Sequence, residues 1–173
     1  MRSKDLALAT MVAAIYALLV YFLPSLSFLV FQVRIADALV PSSAILGWPA
    51  VIGVTLGCFI ANALSPWGSP FLIGVDMVLG SVANLLASYM AMKMSDVRRL
   101  SPPIRFQASC LIANLIVSMI VGTYLPFLME IAFNVPMPLW AGWTGVFTGG
   151  LISMNLAGYL LLMALWRRGL RGS

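Results

Sequence analysis

The sequence has no histidine, only five acidic residues and only two cysteines. The missing histidine removes the commonest metal ligand and the commonest general base together. Cys58 and Cys110 lie in different apolar runs, without disulfide or metal-ligand spacing, and read as small buried apolar residues. There is no GxxxxGK phosphate loop, no HExxH, no serine elbow and no acidic phosphotransferase motif. Nothing here calls for a cofactor, and an enzyme is the least supported class. Charged residues make up 9% of the chain, where a soluble domain carries about 25%. The net charge of +5 does not point to nucleic acid, because the basic residues are few and lack an aromatic-interleaved patch.

What the chain has is hydrocarbon. It is 62% hydrophobic, with a mean hydropathy of +1.02. The expectation is an all-α polytopic protein of the cell membrane, one domain over residues 1–173, in contact with lipid. A spanning helix needs about 20 apolar residues. Six runs approach this: Leu6 to Leu23, Phe28 to Leu46, Ala50 to Leu64, Gly74 to Met92, Phe106 to Leu125 and Leu139 to Trp166. The first follows MRSKD, but it is too long for a signal peptide and is read as a retained helix. Between the runs stand turn-formers: Pro24 with Ser25 and Ser27, then Gly47-Trp48-Pro49, SPWGSPF and NVPMP. KMSDVRRLSPPIR is the one clearly water-exposed connection.

Arg2 and Lys4 precede the first run, Lys93, Arg98, Arg99 and Arg105 flank the fourth-to-fifth connection, and Arg167, Arg168 and Arg171 follow the sixth. Six transmembrane helices put all three groups on one side. By the positive-inside rule both termini are then cytoplasmic. The remaining basic residue is Arg34, inside FQVRIADALVP at Phe31 to Pro41. There Gln32, Arg34 and Asp37 interrupt a stretch otherwise fit for lipid. A charge at the centre of a membrane helix costs roughly 2.5–3.5 kcal/mol, so two unpaired ones would cost about 5–7 kcal/mol. Arg34 and Asp37 are three apart and share a helix face. Either they form a structural ion pair, or they face a polar cavity and hold a ligand; the extra Gln32 favours the cavity.

Further polar residues at membrane depth are Asn62, Asp76, Asn84, Asn114 and Asn155, with Glu130 near the outer end of the fifth run. Asn62, Asp76, Asn114 and Glu130 join the candidate binding set. The ordinary roles of these groups are a helix-start carboxylate for Asp76, interhelical bonds for the asparagines and a solvated surface for Glu130. Aromatics crowd the outer connections, among them Trp67, Phe71 and Trp140. They form either an interfacial belt or a stacking lid over a planar ligand. Small residues supply packing: Gly53 with Gly57, Gly145 with Gly149, and the every-fourth-residue series Ala9, Ala13, Ala17. The alanine series serves internal packing or docks a separate subunit.

FQVRIADALVP, GCFIANAL at 57–64 and GVDMVLGSVANLLASY at 74–89 resemble successive motifs of the QueT family. Family members often carry Glu where this chain has Asp37, which shortens the reach by one methylene. The resemblance implies a substrate-capture (S) component of an energy-coupling factor (ECF) transporter. Such a component binds a queuosine precursor, a deazaguanine base, from outside and docks on a transmembrane coupling subunit driven by ATPase subunits. Ala9, Ala13 and Ala17 would be the docking face. Asp37 or Asp76 would take the guanine-like edge in a bidentate arrangement. The other carboxylate, or Glu130, would pair with an aminomethyl group, while Arg34 orients Asp37 or donates to the base. Gln32 and Asn62 would take remaining edges. The alternatives are an S component for another vitamin-like solute, or a non-catalytic assembly or channel subunit.

Overall fold

The computed structural model describes residues 2–23, 33–97 and 99–169, and every regular element among them is helical. Helix α1 is Ser3–Phe22. A 3₁₀ helix, Ile35–Ser42, runs into the single turn α2, Ser43–Leu46. Helices α3, Trp48–Asn62, α4, Pro70–Met94, and α5, Pro102–Phe133, follow. The last helix starts as α6, Leu139–Gly150, loosens into a π-helix over Leu151–Gly158 and ends as α7, Tyr159–Arg167.

Among the described residues, four helices are long and apolar enough to cross a membrane: α1, α4, α5 and the continuous Leu139–Arg167 helix. Ile35–Leu46 and α3 are apolar but shorter. The expected second span is therefore not one regular α-helix where it is described. Phe28 to Gln32 lie outside the described residues, as do Arg98 and Arg171. From Ile35 the chain is wound tighter, with Pro41 inside the 3₁₀ segment. Proline cannot donate a backbone N–H, which removes one of the bonds an α-helix would need there.

The sequence punctuation maps onto helix ends. Gly47 adopts φ of +66°, a conformation open to glycine at little cost, and lets the chain reverse from α2 into α3. Pro70 and Pro102 occupy first-turn positions of α4 and α5, where a missing N–H costs nothing. Pro126 by contrast sits inside α5, so the fifth helix runs past it to Phe133.

Two glycine approaches set the packing of the bundle. A Cβ on Gly53 would lie 2.7 Å from the Ala9 carbonyl oxygen and from Val12 Cβ; one on Gly57 would lie 2.7 Å from Tyr16 Cβ and 2.9 Å from the Ala13 carbonyl. Helix α1 thus presses its backbone onto α3 along the small residues of both. Ala9 and Ala13 are buried there. The alanine series is in this respect internal packing, and only Ala17, half-buried, retains an outward aspect. The small residues that α1 exposes beyond its first residue, Ser3, are Ala7, Thr10 and Ala14.

Charged groups collect at one end. Asp5, Gly47, Lys93 and Asp96 line one cleft, and at the same end Phe106, beside Arg105, meets Trp166, beside Arg167. At the other end Trp67 packs on Phe133 with ring centres 5.9 Å apart.

Candidate functional site

In a 3₁₀ helix, residues three apart eclipse. Arg34, at the N-terminal boundary of the segment, and Asp37, in its first turn, therefore project to the same side. Both are buried. They attract one another, yet each also reaches away to a different helix. The Arg34 guanidinium donates to Asn62 Oδ1 at 2.7 Å and lies 3.8 Å from Cys58 Sγ, both on α3. Asp37 accepts the hydroxyl of Tyr16, on α1, at 2.5 Å. Asn84 of α4 donates to the same tyrosine oxygen at 2.9 Å.

Asn62 carries the chain of bonds onward. Its Nδ2 donates to the Asp76 backbone carbonyl at 2.9 Å. The Asp76 carboxylate receives two neutral donors, Tyr124 at 2.8 Å on one oxygen and the Trp67 indole at 2.8 Å on the other. Gly80, one turn below Asp76, is the floor of this arrangement. A Cβ there would stand 2.5 Å from Asn62 Nδ2 and 3.3 Å from the Tyr124 hydroxyl.

The result is one buried polar constellation drawn from α1, the 3₁₀ segment, α3, the connection after α3, α4 and α5. It holds one guanidinium, two carboxylates, two phenols, two primary amides and an indole. Carboxylate oxygens have lone pairs to spare after one bond each. Such a group can hold a hydrogen-bonding solute by exchanging internal partners for ligand partners. It offers no nucleophile–base pair, and among the described residues no cluster of His, Cys, Asp and Glu forms a metal site.

Arg34, Asp37, Asn62 and Asp76 are thus brought together. Gln32 lies outside the described residues. Asn114 belongs to a second network: it donates to the Phe147 carbonyl and to Asn155 Oδ1, tying α5 to the last helix. Phe71 is 76% exposed, Trp140 66% exposed, and Glu130 is also exposed near the end of α5. Among the described residues, none of these three hydrogen-bonds to the constellation. Tyr16, Cys58 and Tyr124 were not singled out from sequence as site groups. In the sequence Trp67 is one of many outer aromatics. Trp67 follows Pro66 and precedes Gly68 at φ of +70°, a turn that folds the indole inward.

No curated protein and no solved structure matches the chain. A family model described as QueT transporter matches residues 6–167.

Proposed function

The chain belongs to the QueT transporter family, and from that premise we propose that it is the substrate-capture component of an energy-coupling factor importer for a deazaguanine queuosine precursor. It is a multi-pass protein of the plasma membrane. The observation that supports the finer reading most is the joining of Arg34, Asn62 and Asp76 with the Tyr16–Asp37 pair in one buried cluster. Polar groups this expensive to bury in a membrane mark solute pathways. In this reading the chain completes six crossings, with both termini and the basic end in the cytoplasm. The cluster then lies in the outer half of the bundle, because Asn62 closes α3 at the end opposite the charged cleft.

A guanine-like edge presents two adjacent donors, which one carboxylate accepts side by side. Asp37 takes that edge in our assignment and Asp76 the aminomethyl ammonium, where the base has one. ATP hydrolysis falls to partner ATPases. Docking to the coupling subunit uses the outward side of α1, where Ala7, Thr10 and Ala14 are exposed beside Ala17. The alanines buried against α3 are already occupied.

Titration of the purified protein with 7-aminomethyl-7-deazaguanine tests this reading. We expect binding by the wild type and at least tenfold weaker binding by Asp37→Asn, equivalent to about 1.4 kcal/mol. A wild type that binds no deazaguanine base overturns the substrate assignment. A variant with unchanged affinity removes Asp37 from the site.

A further inference from the structure

Buried serines in a helical membrane protein ordinarily return their hydroxyl to a backbone carbonyl of their own turn. Every other buried serine among the described residues does so. Ser65 does not. It is 5% exposed, and its Oγ has no hydrogen-bond partner. An unmet buried hydroxyl is destabilising, so a group of this kind calls for an explanation.

Its position supplies one. Ser65 lies in the short connection between α3 and α4, and its backbone N–H donates to the Asn62 carbonyl at 3.1 Å. Three residues before it, Asn62 bonds the Asp76 backbone; two residues after it, Trp67 bonds the Asp76 carboxylate. The loop is pinned to Asp76 on both sides of Ser65. The other groups here are committed or one-sided. Asn62 already gives and receives, the carboxylates only accept, and the indole only donates. A planar base also carries acceptors, a carbonyl oxygen and a ring nitrogen, which carboxylates cannot satisfy.

We propose that the Ser65 hydroxyl is a specificity-determining contact that donates to the carbonyl oxygen of the captured base. The inference rests on the deazaguanine reading above. It assigns the uncommitted hydroxyl to the solute, and it makes the connection between α3 and α4 part of the binding surface.

Ser65→Ala, Ser65→Thr and the wild type are titrated with 7-deazaguanine and with 2-amino-7-deazapurine, which lacks the carbonyl. Thermal unfolding of each is measured without ligand. For Ser65→Ala we expect about five- to tenfold weaker binding of the oxo base and unchanged binding of the deoxo analogue. Its unfolding temperature without ligand should be unchanged or higher, since an unmet hydroxyl has been removed. Ser65→Thr should keep the preference for the oxo base. Equal discrimination by wild type and Ser65→Ala, with Asp37→Asn still impaired, overturns the inference alone and leaves the hydroxyl to a bound water. A lower unfolding temperature for Ser65→Ala with wild-type affinity makes the residue structural. A wild type that binds neither base overturns the substrate reading and this inference with it.

Discussion

Tyr16 shows what one hydroxyl does at membrane depth. It gives its proton to Asp37 and receives one from Asn84, so a single side chain joins α1 and α4 to the 3₁₀ segment. Tyr16→Phe leaves the shape intact and deprives two buried groups at once. We expect a loss of roughly 1–3 kcal/mol, the usual cost of an unmet buried polar group, read as a lower unfolding temperature in detergent. Tyr124→Phe removes only one of two donors from Asp76 and should cost less in the same measurement. The carboxylates, Arg34 and Asn62 were legible from sequence because their polarity is out of place in hydrocarbon. The tyrosines, Trp67 and Ser65 were not: such residues are common in membrane helices, and only the fold separates a site hydroxyl from an ordinary one. Phe71 and Trp140, which the sequence offers as either an interfacial belt or a lid over a ligand, are both exposed.

At the scale of elements, hydropathy located the ends of the long helices to within about four residues, because lipid dictates both their length and their composition, except that α5 continues eight residues past Leu125 to Phe133. It carried no information about winding. The segment Ile35–Ser42 is wound as 3₁₀ within an apolar run, and the last helix loosens to a π-helix at Leu151. The two irregular segments pack on each other. A Cβ on Gly158 would stand 2.7 Å from the Pro41 ring and 3.1 Å from the Ala38 carbonyl. Gly158→Val should therefore shift the segment carrying Asp37 and weaken base capture several-fold, with Pro41→Ala restoring part of it. Affinities of the two single variants and the double variant check this, and simple additivity would refute the coupling. On the other side of the bundle, Gly57→Val drives a side chain into Tyr16 and Ala13. Overpacking of this kind costs about 1–3 kcal/mol, measurable as a lower midpoint of thermal unfolding.

For the whole molecule, α1 is the least covered of the four long helices. Its two sides make separable predictions. Ala14→Leu adds bulk to an exposed position, and it should prevent co-purification with the coupling subunit while leaving base affinity as it was. Ala13→Leu adds the same bulk against Gly57 and should lower the unfolding temperature instead. Equal effects of the two substitutions on complex formation would contradict the assignment of sides.

The brevity of α3 has a mechanical consequence. Fifteen residues reach about 22 Å at 1.5 Å each, against a hydrocarbon thickness of about 30 Å. One end of α3 opens on the charged cleft; with that cleft at the membrane surface, as in the proposed six-crossing arrangement, the other end would stop several ångströms short of the far lipid headgroups. Irregular backbone at that level is tolerated only where protein or water surrounds it. In that arrangement the connection after Asn62 would form the bottom of a dent in the far leaflet. On the proposed reading, a solute captured there would already have travelled part of the way across, and the remaining stroke of transport would be shortened by the same distance.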